Sequence, residues 1–125
     1  MKKISLLLLA LIIPLCAYAK HEQPEKYYQE LWCNANKGQL EVVLQDNTRI
    51  DCLTDKYAVE FDFSRKWAEA IGQSLHYSYM TGKKAGIVLI LESFSEEKYY
   101  NRLIPLSKKY DIELFKMYAP SMKKN

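Results

Sequence analysis

The segment YAVEFDFSRKWAEAIGQSLHY, residues 57–77, decides the fold because it joins a short apolar strand directly to a helix. Successive side chains of a strand point to opposite faces. Glu60 and Asp62 therefore share one face with Ala58. The other face is apolar and consists of Tyr57, Val59, Phe61 and Phe63. Two acids inside an apolar strand need an explanation, because both a half-exposed strand and a ligand-binding strand would contain them.

A helix is predicted after this strand, with Ser64 as its N-cap and its end near Met80. At about 100° per residue, the apolar stripe against the sheet consists of Trp67, Ile71 and Leu75, with Ala70, Ser74 and Ser78 on its flanks. A second line of side chains lies beside that stripe and consists of Lys66, Ala70, Gln73 and Tyr77. Polar groups at the rim of a buried stripe can reach a carboxylate on the neighbouring strand.

Asp51 is predicted to join the two acids, because residues 47–53 form a predicted strand that pairs with the acidic strand as a hairpin. Carboxylate oxygens are hard ligands that suit Mg²⁺ or Mn²⁺. The sequence therefore indicates a candidate metal site at Asp51, Glu60 and Asp62, where Lys66 can orient water. A plainer interpretation stays open, in which the acids are solvated and Lys66 forms a surface ion pair of little energetic consequence.

The first 19 residues have the pattern of a secretory signal. MKK is a basic start, ISLLLLALIIPLC is an apolar run that is short for a membrane span, and AYA precedes a cleavage position. Lipoprotein processing at Cys16 and retention as an uncleaved anchor are alternatives. Leu15 argues against the first, and the polar sequence from Lys20 onward argues against the second. We expect a mature chain of residues 20–125 that is periplasmic or secreted and not held in a membrane.

Composition predicts one domain without a general electrostatic preference for nucleic acid. Loss of Lys2 and Lys3 with the signal lowers the 18 Lys and Arg residues to 16, against 15 acidic residues, so a nucleic-acid partner would need a local basic patch.

Two cysteines, Cys33 and Cys52, remain after loss of the signal, and an even count in an exported chain favours a disulfide. A metal site at these thiols is the alternative, but it lacks a nearby pair of histidines.

The predicted order of elements is αβββαβαβ in a single domain. Helices are expected at 25–38, 64–80 and 95–110, the last of them broken or ended near Pro105. Strands are expected at 39–46, 47–53, 57–63, 85–93 and 111–118. Short turns join the first three strands into an antiparallel meander, and crossovers make the later strands parallel. The fold class is α/β, with a mixed central sheet flanked by helices.

This order, together with the series Asp51 … Glu60-x-Asp62 … Gln73-x-x-x-Tyr77, resembles the PD-(D/E)XK nuclease superfamily. The resemblance covers residues 25–118 and implies a restriction-endonuclease-like core. The phrase KWAEAIGQSLHYSYMTGKKAGIVLI, residues 66–90, is also similar to a group of small exported bacterial proteins with this core.

The resemblance implies metal binding by Asp51 and Glu60. It implies a supporting role for the Gln-x-x-x-Tyr pair in the following helix. The sequence departs from the family at Asp62, which stands where a catalytic lysine is expected. Lys66, one helical turn later, is the candidate substitute.

Three functions remain as hypotheses. The first is a metal-dependent phosphodiesterase that acts on nucleic acid outside the cytoplasm with Mg²⁺ or Mn²⁺. Its candidate catalytic residues are Asp51, Glu60, Lys66, Gln73 and Tyr77. The second is a catalytically inactive exported binding module on the same scaffold. The third is a disulfide-stabilised partner-binding protein whose surface would use the tyrosines at 27–28, 77–79 and 99–100, residues that core and helix packing explains better.

Overall fold

The structure is a computed structural model that describes residues 20–123, and the predicted signal at residues 1–19 lies outside the described residues. The helices and strands are, in chain order, α1 (Glu25–Ala35), β1 (Gln39–Val43), β2 (Arg49–Leu53), β3 (Tyr57–Phe63), α2 (Trp67–Thr81), β4 (Lys84–Leu91), α3 (Glu97–Tyr110) and β5 (Ile112–Tyr118). Short 3₁₀ turns lie at Ser64–Lys66, Phe94–Glu96 and Pro120–Lys123. The predicted order αβββαβαβ is confirmed.

The five strands form one mixed sheet in the order β1-β2-β3-β4-β5. β2 is antiparallel to both of its neighbours, β1 and β3, and β3, β4 and β5 are parallel. α2 connects β3 to β4 and α3 connects β4 to β5, as parallel neighbours require. The predicted α/β class, with a mixed sheet flanked by helices, is therefore confirmed.

α1 covers one face of the sheet and is bonded to it covalently. Cys33 in α1 and Cys52 in β2 form a disulfide with an S–S distance of 2.06 Å, which confirms the predicted pair. Both cysteines are buried in a cluster with Tyr28 and Val59. Gly38 lies against this bond, because a Cβ there would be 2.5 Å from the Cys52 sulfur. A side chain at this position would displace the disulfide.

α2 and α3 cover the opposite face. Ile87 and Leu89 of β4 are fully buried there against Ala70 of α2 and Leu103 of α3. β4 is buried from its second residue to its last, as its continuous apolar sequence predicts for a central parallel strand. None of the helices between residues 20 and 123 is both long and apolar enough to cross a membrane.

The start of α2 differs from the prediction. The Ser64 hydroxyl donates to Glu96 Oε2 at 2.7 Å and makes no capping bond, because a 3₁₀ turn separates β3 from α2. Ser64 thereby joins the end of β3 to the turn that precedes α3. Lys66 lies at the end of this turn, immediately before α2.

α3 also differs from the prediction, because it neither breaks nor ends at Pro105. The helix continues to Tyr110, although a proline has no N–H for the carbonyl one turn earlier. Leu103, which is 1% exposed, anchors the same stretch in the core. Packing of an amphipathic face thus outweighs one lost helical hydrogen bond.

Candidate functional site

The candidate site lies where β2 and β3 separate. Their pairing ends at Cys52↔Val59, and beyond this point the Asp51 side chain takes the place of the β2 backbone. Asp51 Oδ2 accepts a hydrogen bond from the Phe61 backbone N–H at 2.8 Å. Asp51 thus reaches β3 through a carboxylate inserted between the strands.

Glu60 and Asp62 lie on the β3 face that packs against α2. Ala58, on this same face, shares a buried cluster with Tyr77 of α2. Glu60 and Asp62 are only 6% and 7% exposed, respectively, so the interpretation of both as solvated surface acids does not hold. Glu60 Oε2 and Asp62 Oδ2 are buried without a hydrogen-bond partner. Such orphaned atoms are rare in folded proteins.

Asp51, Glu60 and Asp62 form the carboxyl cluster, and the pKa values of all three side chains are raised. Burial, followed by the charges of Asp51 and Asp62, raises the pKa of Glu60 to about 10. The Asp51 carboxyl beside Glu60 also favours the protonated form of Glu60, which is therefore neutral at pH 7. Burial, followed by the charge of Glu25, raises the pKa of Asp62 to about 7. Burial also raises the pKa of Asp51, although the Phe61 N–H favours its ionised form.

Glu25 belongs to this cluster, although the sequence reasoning missed it. It lies in the first turn of α1, where burial, followed by the charge of Asp51, raises its pKa. Gln29 lies one turn later, is 6% exposed and donates to Glu25 Oε1 at 2.9 Å. The sequence did contain a signal for it: Glu25 lies four residues before Gln29, and both lie on the side of α1 that carries apolar residues. Strand alternation alone cannot connect that helix to β3.

The predicted helix residues divide into a buried and an exposed group. Tyr77 is 8% exposed, and burial, followed by the charge of Glu60, raises its pKa to about 12. Lys66 and Gln73 are exposed. Lys66 lies near the acids, since its positive charge partly offsets the burial-driven rise in the pKa of Asp62.

α2 is rotated from its predicted orientation. Its buried residues are Ala70, Ser74 and Tyr77. Trp67, Ile71 and Leu75, the predicted centre of the stripe, are only partly buried against the cluster around β4. The small side chains of Ala70 and Ser74 let the helix approach the sheet closely. Gln73 consequently faces outward.

The chemistry of the cluster fits a hard divalent cation. Asp51, Glu60 and Asp62 supply carboxyl oxygens, the ligands that Mg²⁺ and Mn²⁺ prefer, and two of these oxygens have no other partner. Between residues 20 and 123, no group of three or more His, Cys, Asp or Glu side chains has the geometry of a metal site. A cation there would have to displace the proton that burial favours on Glu60.

Comparisons with known proteins found little. No family model matches the chain, and no solved structure matches it. Over 95 residues the chain is 37% identical to KilA-N domain-containing protein R878 of Acanthamoeba polyphaga mimivirus. This alignment covers 76% of the chain and 23% of the viral protein. The chain thus spans about a quarter of that relative, and the resemblance to PD-(D/E)XK nucleases gains no support from a family match.

Proposed function

We propose that this protein is a metal-dependent phosphodiesterase that acts on nucleic acid. The carrying observation is the burial of Glu60 and Asp62 next to Asp51, with two carboxyl oxygens that have no partner. Burial of acids without compensation lowers stability, and a bound cation would offset this loss. Groups with strongly raised pKa values that share one site favour a functional explanation over a packing one.

Asp51, Glu60 and Asp62 would hold the Mg²⁺ or Mn²⁺ ion, and Glu25 adds negative charge beside them. The ion would polarise a phosphodiester and lower the pKa of bound water. Metal ligands must be deprotonated, so ion binding would release the proton that Glu60 carries. Affinity should therefore rise with pH.

The side chains from the α2 region have separate roles in this proposal. Lys66 is exposed beside Asp62 and supplies positive charge to the substrate phosphate. Tyr77 is buried behind Glu60 and keeps the carboxyl in position. Gln73 is exposed, so its amide can contact the substrate backbone.

The viral relative supports nucleic acid as the partner. It is named for a KilA-N domain, and a nucleic-acid-related role is compatible with such a relative. Because the chain spans 23% of that protein, this support extends to a nucleic-acid-related role and to no particular reaction.

Calorimetric titration of the protein with Mg²⁺ and Mn²⁺ tests the proposal. Titrations in two buffers of different ionisation enthalpy measure the protons released, and we expect a release close to one per ion at pH 7. Glu60→Gln should abolish binding, and Glu30→Gln, which changes an exposed acid of α1, should not. Absence of cation binding to the unchanged protein would refute the metal site. A fluorogenic single-stranded oligonucleotide then tests cleavage.

A catalytically inactive binding module is the second candidate, because Asp62 occupies the position at which the family resemblance implies a lysine. Lys66→Ala separates the two. We expect this substitution to abolish oligonucleotide cleavage while it leaves cation affinity nearly unchanged. Cation binding without any cleavage by the unchanged protein would favour the binding module. Full activity of Lys66→Ala would show that Lys66 does not replace the missing lysine.

Export to the periplasm or the medium is part of the proposal. The leader pattern of residues 1–19 and the Cys33–Cys52 disulfide are both typical of exported proteins. The expected mature N-terminus is Lys20. N-terminal sequencing of the exported protein tests this, and a chain that begins at Met1 or at a lipidated Cys16 would contradict it.

A further inference from the structure

A pocket beside the carboxyl cluster has no role in the proposal above. Its volume is about 250 Å³, and it lies between the segment before α1 and the 3₁₀ turn before α2. His21, Phe63, Arg65 and Lys66 are among its lining residues. Sites for drug-sized ligands measure about 300–1,000 Å³. The pocket lies just below this range, so it suits a ligand no larger than one nucleotide.

The acids of the pocket are already used by internal hydrogen bonds. Glu92 accepts from the Glu22 backbone N–H at 2.8 Å and also contacts His21 Nδ1 at 2.7 Å. Glu96 Oε2 accepts from the Ser64 hydroxyl at 2.7 Å and from the Glu92 backbone N–H at 2.9 Å. These two carboxylates therefore hold the walls together, and Arg65 partly offsets the charge of Glu96.

The basic groups of the pocket are more available than the acids. Lys20 and Lys66 both line it, and within residues 20–123 neither has a carboxylate at ion-pair distance. Arg65 lies 3.8 Å from Glu96 Oε1 with 80% of its side chain exposed, so it can turn toward a ligand. Three cations around two internally bonded acids make this pocket attractive to a phosphate group.

His21 gives the pocket a flat wall. Its ring stacks on Phe63 with a centroid distance of 3.5 Å and an interplanar angle of 3°. The contact with Glu92 fixes the ring in its plane, and 48% of the side chain remains exposed. One face of the ring is covered by Phe63, so the exposed face can accept a nucleobase, as aromatic side chains do when they bind single strands.

We propose that this pocket binds one nucleotide of the substrate chain, next to the phosphodiester at the carboxyl cluster. The base stacks on the exposed face of His21, and the phosphate contacts Lys20, Arg65 and Lys66. Lys66 connects the two sites, because it lines the pocket and also lies beside Asp62. This inference rests on the proposed function for the position of the substrate. Stacking requires an unpaired base, so the expected substrate is a single strand or the end of a chain.

Titration with adenosine 5′-monophosphate in EDTA, followed by backbone amide NMR, tests the pocket without metal or turnover. We expect shifts at His21, Ser64 and Arg65, with weaker binding of adenosine and of inorganic phosphate measured separately. His21→Ala should lower the affinity for the nucleotide at least about fivefold. His21→Phe should retain it, since a flat ring can still stack on Phe63. Lys108→Ala, an exposed change on α3, is the matched control.

The results separate this inference from the proposed function. Glu60→Gln should bind the nucleotide normally even though it is expected to lose the cation, because Glu60 does not line the pocket. Nucleotide binding without cation binding would retain the pocket and refute the metal site. Equal nucleotide affinity in the unchanged protein, His21→Ala and Arg65→Ala would overturn the inference. Shifts confined to residues outside the pocket would overturn it as well.

Discussion

The two faces of β3 are buried to a similar extent, but one buries apolar side chains and the other buries acids. Toward α1, Val59 and Phe61 are both 0% exposed and pack around the disulfide. Toward α2, Glu60 and Asp62 are almost as buried, yet each retains an oxygen without a hydrogen-bond partner. One face of a single strand therefore stabilises the fold, and the other lowers its stability. The difference makes the acidic face the candidate for the function proposed above.

Phe61→Ala should produce the largest effect on the apolar face. Removal of a fully buried phenylalanine leaves a cavity and typically lowers the free energy of unfolding by about 3–5 kcal/mol. Urea denaturation measures this loss. Leu31→Ala is the control, because Leu31 is 48% exposed and its truncation should change stability little. Equal losses of stability at the two positions would show that the buried apolar face is not the main source of stability.

Loss of the disulfide should be the next largest effect on that face. The bond joins residues 19 apart in sequence, and closing a loop of this size contributes about 3 kcal/mol in the chain-entropy model. The double variant Cys33→Ala, Cys52→Ala should show this reduction by urea denaturation under oxidising conditions. A reductant should lower the stability of the unchanged protein and leave the double variant unaffected. Insensitivity of the unchanged protein to the reductant would contradict the prediction.

Glu60→Gln tests the acidic face through pH. The folded pKa values of Glu60 and Asp62 are raised to about 10 and about 7. The folded state therefore retains protons that the unfolded chain releases above about pH 4. Stability should fall as pH rises, for Asp62 up to about pH 7 and for Glu60 up to about pH 10.

Glu60→Gln should accordingly weaken this decline and make the protein more stable at pH 8 by on the order of 2 kcal/mol, with little change at pH 4. Thermal unfolding in EDTA at a series of pH values measures the effect. Glu30→Gln, a change at an exposed acid, should follow the unchanged protein at every pH. If Glu60→Gln did the same, Glu60 would not be the protonated member of the cluster.

Tyr28→Phe should give the smallest effect. It tests whether the apolar face of β3 toward α1 also buries a polar group without a partner. The Tyr28 ring is 1% exposed in the apolar cluster, and its hydroxyl is buried without a partner. Removal of an unsatisfied buried hydroxyl should raise the free energy of unfolding by about 1 kcal/mol. Denaturant midpoints with an unchanged m-value would report this gain. Destabilisation would mean that the hydroxyl has a partner and that the α1 face is less uniform than described.

The sequence was most informative where a pattern is local. Alternation predicted β3 at 57–63 and the shared face of Glu60 and Asp62, because a period of two within seven residues needs no tertiary information. The order of elements followed from turns and crossovers for the same reason. Whether that acidic face would be buried was not predictable, since burial depends on α2 packing over it.

The sequence was least informative where separate elements meet. Glu25 reaches the cluster because α1 is fixed over β2 and β3, an arrangement that helical periodicity cannot give. Gln73 and Tyr77 were placed on one line, but the rotation of α2 buries Tyr77 and exposes Gln73. Pro105 was treated as a break, although packing of Leu103 holds α3 together.

The position of the disulfide has a consequence for local opening. Glu25 lies in the helix that contains Cys33, and Asp51 is the residue before Cys52, so α1 and β2 approach the cluster from two ends of one covalent bridge. Fluctuations that separate β2 from β3 would carry α1 with them. α1 and the β1–β2 hairpin should therefore exchange their amide hydrogens as one cooperative unit while the bridge is intact. After reduction, the exchange rates of these two elements should become independent of each other.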